Sequence, residues 1–224
     1  EILKKNHVYS EDMEHDACGV GLIASTEGKK SRKIVEYGIE ALKAVWHRGA
    51  VDADGKTGDG AGIHVEIPKD FFIEKIEMTG HTYDNSEICV GMIFLPRNDY
   101  AAQENCKTIV ESELTKNNFS IYGWRQVPVN PKVLGEKAFQ TMPEIIQVLF
   151  KSNNPELLNK DLERKIYETR RIIENKAFQI SLNNFYICSL SSKSIIYKGM
   201  FLAEAISEFF LDLKDERFVS RYAI

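Results

Sequence analysis

Short apolar runs alternate with longer helix-periodic segments along most of this chain, and this alternation constrains its fold more than any other feature. The strand-like runs in the second part of the chain cover residues 87–95, 119–127, 144–150, 184–190 and 194–198. The helix-periodic segments among them cover residues 99–116 and 155–175. Because both kinds of segment bury an apolar face, the sequence predicts one domain in which helices pack in layers against sheet. The particular α/β arrangement stays open at this point.

The first part of the chain shows the same two kinds of pattern. Residues 18–25 form an apolar run typical of a strand, and Ser31 has the chemistry of an N-cap for a helix that extends to His47. An Asp- and Gly-rich loop covers residues 52–62, and an alternating strand follows it. Pro68 then opens a short helix, since proline is favoured in the first helical turn.

Composition argues against several classes of function. The 224 residues are 43% hydrophobic and 28% charged, which is ordinary for a soluble globular chain. The formal net charge of −4 provides no general basic field for nucleic acid, and no apolar run reaches the roughly 20 residues that a membrane-spanning helix needs. The first 17 residues are polar and acidic, unlike a secretory signal. We therefore expect neither nucleic-acid nor membrane partners.

Four widely spaced cysteines form no CxxC pair, which predicts neither a zinc site nor a disulfide framework. This usage is typical of a reducing compartment, and we expect a cytoplasmic protein. Cys89, Cys106 and Cys188 lie within strand or helix patterns and are expected to be structural. Asp52 and Asp54 resemble a calcium loop only in part, because the other oxygen ligands are missing, so no metal site is predicted.

Cys18 differs from the other cysteines because a polar leader precedes it and Gly19 and Gly21 follow it. Cleavage after Ala17 would leave Cys18 with a free α-amine, and this amine could serve as the base for its own thiol. The two glycines would let substrate and neighbouring backbone approach closely. The residues of this segment alone leave two interpretations open: a nucleophile at the start of a mature chain, or a small core residue at the start of a strand.

Three further blocks carry a specific resemblance. They are Trp46-His47-Arg48-Gly49-Ala50, Thr57-Gly58-Asp59-Gly60-Ala61-Gly62-Ile63, and Ile67-Pro68 with the following Phe71-Phe72. Together with the segment that begins at Cys18, they resemble the glutaminase domain of the glutamate synthase large-subunit family, a class II glutamine amidotransferase of the N-terminal-nucleophile hydrolase superfamily. The start at Cys18 alone fits other class II amidotransferases equally well. The 57–63 block narrows the match to the glutamate synthase family. The resemblance extends over nearly all of the chain after residue 17.

The resemblance implies an α+β fold, the four-layer α-β-β-α sandwich of N-terminal-nucleophile hydrolases, here incomplete. It divides the chain into a leader or propeptide at 1–17 and the N-terminal portion of a glutamine amidotransferase type 2 domain at 18–224. Two family segments, Arg-Phe-Ser-Thr-Asn and Asn-Gly-Glu, are absent before Ile224. In the family they supply the arginine that binds the substrate carboxylate and the oxyanion hole, and losing one oxyanion donor costs about 10² to 10³ in rate. We therefore expect this chain by itself to be a poor catalyst.

The resemblance also implies residue roles. Cys18 is the nucleophile that attacks the side-chain amide of L-glutamine, and its α-amine acts as the base once the leader has been removed. Arg48 orients the nucleophile; the alternative is a helix-end arginine bonded to the last carbonyls. Asp59 is expected to be buried and hydrogen-bonded in a loop beside the site. That loop contains Gly58, Asp59 and Gly60, and it lacks the Lys-Ser/Thr ending of a phosphate-binding loop.

By the same resemblance, the whole enzyme passes ammonia to a second site, where 2-oxoglutarate is aminated and reduced with FMN, an iron–sulfur cluster and a reductant. None of these cofactor sites falls on this segment. The expected partners are L-glutamine, the remainder of the large subunit and a small reductase subunit. Two alternatives stay open: another class II amidotransferase with a different acceptor domain, and a non-catalytic interaction module in which Cys18 is never exposed.

Overall fold

The computed structural model describes residues 19–45 and 51–224. Its strands are β1 Ile23–Ala24, β2 Ala61–Glu66, β3 Cys89–Leu95, β4 Phe119–Gln126, β5 Glu144–Ser152, β6 Tyr186–Ser191, β7 Ser194–Gly199 and β8 Tyr222–Ala223. Its α-helices are α1 Arg32–Ala44, α2 Lys69–Glu77, α3 Tyr100–Lys116, α4 Glu136–Thr141, α5 Asn159–Gln179 and α6 Ile206–Phe209. Short 3₁₀ turns cover Pro131–Val133, Ala203–Ala205 and Leu211–Lys214. No helix within these described ranges is long and apolar enough to cross a membrane.

The described strands form two antiparallel sheets. The first sheet has the order β1-β8-β2-β7, and the second has the order β4-β5-β3-β6. A tight turn joins β6 to β7, so the chain passes from the second sheet to the first within a few residues. Neither order follows the order of the chain, so most neighbouring strands, such as β1 and β8 or β2 and β7, come from distant parts of the sequence.

Helices cover both sheets. α1 packs against β1, β2 and β8 of the first sheet, whereas α3 and α5 pack against the second. The two sheets meet where β7 contacts β3 and β6. One buried apolar cluster includes α1, α2 and residues of both sheets, and a second lies between the second sheet, α3 and α5. This arrangement confirms the predicted α+β class and is consistent with the α-β-β-α sandwich.

β3 shows how the alternation of a strand assigns side chains to these two clusters. Val90 and Met92 belong to the cluster shared by the two sheets, whereas Cys89, Ile93 and Leu95 belong to the cluster beside α3 and α5. All of these side chains are buried. Both faces of β3 are therefore covered, which explains why its sequence is apolar at nearly every position.

Local hydrogen bonds determine where the two long helices, α3 and α5, begin. α3 begins after Asp99, whose side chain accepts a hydrogen bond from a backbone N of the first turn at 2.9 Å. α5 begins later than the predicted 155–175, because Asn154 first forms a turn in which its Oδ1 accepts from the backbone N of Glu156 at 3.0 Å. Ser31 occupies the N-cap position of α1, as predicted, but its side chain makes no capping hydrogen bond.

The predicted strand at 18–25 is much shorter in the structure. β1 covers only Ile23–Ala24, which pair with Ala223 and Tyr222 of β8. Val20 and Leu22, which precede β1, are 81% and 65% exposed. Among the described residues, only the end of the predicted strand is therefore paired.

Candidate active site

The residues that precede β2 fold back on themselves as a short hairpin. Val51 and Gly58 form an isolated β-bridge, and the backbone N of Asp52 donates to the carbonyl of Thr57 at 2.9 Å. Gly55 lies at the tip with a φ of +68°, a conformation that glycine adopts without strain. The loop that contains the predicted wall residues is therefore an ordered turn.

Asp54 stabilises this hairpin by accepting hydrogen bonds from residues of the same turn. One carboxylate oxygen accepts hydrogen bonds from the backbone N of Lys56 at 2.9 Å and of Thr57 at 2.7 Å, and the other accepts from the Thr57 hydroxyl at 2.6 Å. These bonds, led by that from the Thr57 hydroxyl, lower the pKa of Asp54 to about 2. A hydrogen bond from Lys137 of α4 at 2.8 Å lowers the pKa of Asp52. Both aspartates thus bind groups of the protein, and the described ranges hold no group of three or more potential metal ligands.

Close packing holds the hairpin against the rest of the domain. A Cβ atom added at Gly135, the residue before α4, would lie 2.2 Å from Asp54 Oδ2 and 2.3 Å from Thr57 Oγ1. A Cβ atom added at Gly58 would lie 2.8 Å from the carbonyl oxygen of Phe201. Real Cβ atoms essentially never approach closer than 3.0 Å, so a larger residue at either position would force its neighbours to move.

The three predicted wall residues differ in burial. Gly58 is buried, whereas Asp59 and Gly60 are exposed. The prediction that Asp59 is buried and hydrogen-bonded is therefore wrong about its burial. The buried side chain of this loop segment is instead that of Thr57, which is 2% exposed, because its hydroxyl and its backbone N both bind Asp54.

Asp59 and Gly60 line a groove of about 670 Å³. Most of the groove wall is apolar and includes Phe94, Leu134, Met142, Ile145, Ile196 and Phe209. The polar side chains that line it are those of Asp59, His64, Thr141 and Lys198. A concave, mostly apolar surface with a few polar groups is typical of a small-molecule site.

A smaller pocket of about 180 Å³ adjoins this groove. Its lining includes Gly19, Gly21, Val45, Gly62 and Ile224, and the last two residues also line the groove. The chain that follows Cys18, the end of α1 and the start of β2 therefore line one pocket.

Three residues considered in the sequence analysis lie outside the described ranges: Cys18, His47 and Arg48. Gly19, which follows Cys18 in the sequence, lines the smaller pocket together with Val45, the last described residue before 46–50. Val51, the first described residue after 46–50, pairs with Gly58. The structure thus brings the sequence neighbours of the predicted site residues to one end of the first sheet.

His64 is a lining residue that the sequence analysis missed. Its Nε2 is buried without a hydrogen-bond partner in the described part of the chain, and burial lowers the pKa of its ring. The ring packs edge-on to Tyr222 of β8, with centroids 5.9 Å apart. The sequence did contain a signal for this position. His64 lies between Ile63 and Val65 in an alternating strand, so its side chain is on the face opposite those two apolar residues.

The profile of the family described as "Glutamine amidotransferases class-II" matches residues 18–224. The chain therefore belongs to the class II glutamine amidotransferases, which confirms the predicted family.

Several curated proteins are similar to this chain. It is 54% identical over 218 residues to the glutamate synthase [NADPH] large chain of Azospirillum brasilense, an alignment that covers 97% of this chain and 14% of that protein. It is 40% identical over 213 residues to ferredoxin-dependent glutamate synthase 1 of Arabidopsis thaliana, with coverage of 94% and 13%. It is 38% identical over 213 residues to ferredoxin-dependent glutamate synthase 2 of Synechocystis sp., again with coverage of 94% and 13%. The chain thus spans 13% to 14% of the length of these relatives.

Proposed function

We propose that this chain hydrolyses the side-chain amide of L-glutamine as the amidotransferase domain of a glutamate synthase. The thiolate of Cys18 attacks the amide carbon, the C–N bond breaks, and a γ-glutamyl thioester forms as ammonia leaves. Water then hydrolyses the thioester, which releases glutamate and restores the thiol. The α-amine of Cys18, free once residues 1–17 are removed, takes the thiol proton and donates it to the departing ammonia.

The observation that carries this proposal is the convergence of separate segments at one end of the first sheet. Gly19, which follows the proposed nucleophile, lines the same pocket as Gly62, which continues from the glycine-rich loop. Gly62 also lines the groove of about 670 Å³. A mature Cys18 beside this groove would meet a substrate held among a few polar groups in a mostly apolar wall.

Arg48 is proposed to orient Cys18 and to favour its thiolate, because a guanidinium stabilises a nearby negative charge. In support, the segment that contains Arg48 follows Val45, which lines the smaller pocket. The proposed wall of the groove is the loop segment Gly58, Asp59 and Gly60. Asp59 and Gly60 line the groove, while Gly58 anchors the loop through its close contact with the backbone of Phe201.

In the whole protein, the ammonia is proposed to aminate 2-oxoglutarate, since the relatives are named glutamate synthases. FMN, an iron–sulfur cluster and a reductant would serve that second reaction. The described cysteines do not fit an iron–sulfur site, because Cys89, Cys106 and Cys188 are buried in three different elements, β3, α3 and β6. We propose L-glutamine, the remainder of the large chain and a small reductase subunit as partners, in the cytoplasm.

The test uses the full-length protein purified from its native host. Intact mass and N-terminal sequencing should show a chain that begins at Cys18, and an assay with L-glutamine should show release of glutamate and ammonia. A diazo-ketone analogue of glutamine should label Cys18 and abolish this activity, and Cys18→Ala should remove both. The internal controls are the buried cysteines, which should stay unlabelled: Cys89, Cys106 and Cys188.

Other results would identify the alternatives. Glutamine hydrolysis that is coupled to an acceptor other than 2-oxoglutarate would indicate a different class II amidotransferase. A chain that retains residues before Cys18, with neither labelling nor glutaminase activity, would indicate a non-catalytic module. A chain that begins at Cys18 and is still neither labelled nor active would contradict the proposed mechanism.

A further inference from the structure

β1, the strand that follows the proposed nucleophile in the sequence, pairs with β8. Ile23 lies opposite Ala223, and Ala24 lies opposite Tyr222. β8 in turn lies between β1 and β2, since Ala223 also pairs with Val65. The position of β1 therefore depends on how firmly β8 is held against β2.

Glu66, the last residue of β2, holds the chain directly before β8 with its carboxylate. Oε2 accepts a hydrogen bond from the backbone N of Arg221 at 2.6 Å. Oε1 accepts two hydrogen bonds from the Arg221 guanidinium, at 2.9 Å from Nε and 2.5 Å from Nη2. The ammonium group of Lys30 lies 4.0 Å from the same oxygen. One carboxylate thus binds both the main chain and the side chain of the residue that precedes β8.

Ser220 adds a second point of attachment. Its hydroxyl accepts a hydrogen bond from the backbone N of Glu66 at 3.0 Å and donates one to the carbonyl of Tyr222 at 2.5 Å. Ser220 and Ser31 also exchange backbone hydrogen bonds, so the same segment is tied to the start of α1. Ser220 is fully buried, and a lost partner there would leave a polar group without water to replace it.

Glu66 is the more buried residue of its ion pair with Arg221. Its side chain is 8% exposed, whereas that of Arg221 is 54% exposed. Burial alone would raise the pKa of Glu66, but the hydrogen bonds from Arg221 outweigh burial and lower the pKa. Glu66 is therefore ionised at neutral pH, and a buried carboxylate in this state depends on its cationic partner.

We propose that Glu66 is a positioning residue for glutamine hydrolysis, which acts through Arg221 and β8 to hold β1 and, with it, Cys18. This inference rests on the proposed function of Cys18. A reacting group displaced by about 1 Å can lose about 10²-fold in rate. Loss of Glu66 should therefore lower kcat, whereas KM for glutamine should change little, because Glu66 is not among the residues that line the groove.

The test compares Glu66→Gln with Glu113→Gln in the full-length protein. Glu113 is a matched control, because its side chain is 5% exposed and pairs with Lys176 at 2.6 Å and Lys116 at 3.2 Å, but it lies on α3 at the second sheet. Titration of Cys18 with the diazo-ketone analogue gives the number of competent sites, so unfolded or unprocessed molecules do not enter kcat. We expect Glu66→Gln to lower kcat per site by about 10²-fold with KM within about twofold, and Glu113→Gln to keep both within about twofold.

A second variant covers the case in which Glu66→Gln folds poorly. Arg221→Lys retains the backbone hydrogen bond and the charge but loses the two-point guanidinium contact, so it should lower kcat per site by less than about 10²-fold, but by more than the roughly twofold range of Glu113→Gln. Wild-type kcat per site in both Glu66→Gln and Arg221→Lys, or equal losses in Glu66→Gln and Glu113→Gln, would overturn the positioning role and leave the glutaminase function standing. A wild-type protein that does not hydrolyse glutamine would instead overturn the proposed function itself.

Discussion

A thiol reacts mainly as its thiolate, so the pKa of each cysteine decides which one an alkylating reagent reaches first. Burial raises the pKa of Cys106 and of Cys188 to about 11. Burial, together with the nearby charges of Glu163 and Glu87, raises the pKa of Cys89 well above its usual value. The described cysteines thus have the chemistry of inert core residues, as their sequence patterns predict.

We predict that iodoacetamide at neutral pH alkylates Cys18 of the mature, native protein well before the other cysteines. A thiol with a pKa of about 11 is only about 10⁻⁴ ionised at pH 7, and a buried one is also hard to reach. Timed labelling followed by peptide mapping measures each rate, with the urea-unfolded protein as the control in which all sites are accessible. Equal rates for Cys18 and Cys106 in the native protein would contradict this prediction.

Gly58 and Gly21 offer a matched pair of substitutions at the residue scale. A Cβ atom at Gly58 would lie 2.8 Å from the backbone of Phe201, whereas one at Gly21 would have nothing within 4 Å. We predict that Gly58→Ala lowers the free energy of unfolding by about 1–3 kcal/mol, because the backbone at Phe201 must shift. Gly21→Ala should change it by less than about 0.5 kcal/mol. Urea unfolding followed by circular dichroism measures both, and equal stabilities would speak against the close contact.

At the scale of secondary-structure elements, the starts of α3 and α1 differ in one hydrogen bond. Asp99 accepts a bond from the backbone N of Ala102 at 2.9 Å, whereas the side chain of Ser31 makes no capping bond. We predict that Asp99→Ala lowers the free energy of unfolding by about 1 kcal/mol, and that Ser31→Ala costs less because no capping bond is lost. Denaturant midpoints of the two variants check this. Equal losses in Ser31→Ala and Asp99→Ala would show that the capping bond of Asp99 contributes no extra stability.

At the scale of the whole molecule, a buried polar network joins the second sheet to the first. Arg125 of β4 donates to both carboxylate oxygens of Asp212, at 2.7 Å and 2.5 Å. Asp212 also accepts a hydrogen bond from the hydroxyl of Tyr197 in β7 at 2.8 Å. Gln147 of β5 accepts from Arg125 and donates to Tyr197. The network therefore links strands of both sheets to the segment after α6.

We predict that Asp212→Ala lowers the free energy of unfolding by about 3–5 kcal/mol, because Arg125 would stay buried without its counter-charge. The double variant with Arg125→Met should lose less than the sum of the two single variants. Glu27→Ala is the control, since Glu27 and its partner Lys29 are 70% and 79% exposed and such pairs contribute about 0–1 kcal/mol. Additive losses in the double variant would show that Arg125 and Asp212 are not coupled.

Carboxylates with lowered pKa values make the stability of the molecule depend on pH. Hydrogen bonds led by those from Arg217 lower the pKa values of Glu74 and Asp215 to about 2, from usual values of 4.5 and 3.8. The unfolded chain therefore binds these protons at a higher pH than the folded chain does. Their contribution to stability is complete above the unfolded pKa values and is lost as the pH falls toward 2.

We predict that the free energy of unfolding falls as the pH decreases from about 5 to about 2, and that Arg217→Ala makes this decrease shallower. Arg97→Ala is the control. It removes the same positive charge, but the hydrogen bond that it removes goes to a backbone carbonyl, that of Phe139. Urea unfolding at a series of pH values measures each slope. The same slope in wild type and Arg217→Ala would mean that Glu74 and Asp215 do not carry the pH dependence.

Patterns that act over a few residues could be read directly from the sequence. The start of α3 follows from Asp99, and the double-sided burial of β3 follows from its continuous apolar composition. The exposure of Asp59 could not be predicted, because the sequence does not show that Thr57, rather than Asp59, is buried through its hydrogen bonds to Asp54. The pairing of β1 with β8 could not be predicted either, because β8 lies far away in the sequence.

Motifs, caps and periodicity are local, so the amino-acid sequence was enough to identify the family, the proposed nucleophile Cys18 and the approximate positions of most helices and strands. Packing in three dimensions was needed to show that the chain after Cys18 lines the same pocket as the start of β2, and that Glu66 binds Arg221 across 155 positions. Periodicity reports which face of an element is buried, but not which distant element covers that face. Strand order and buried ion pairs are therefore decided by the packing of the whole chain.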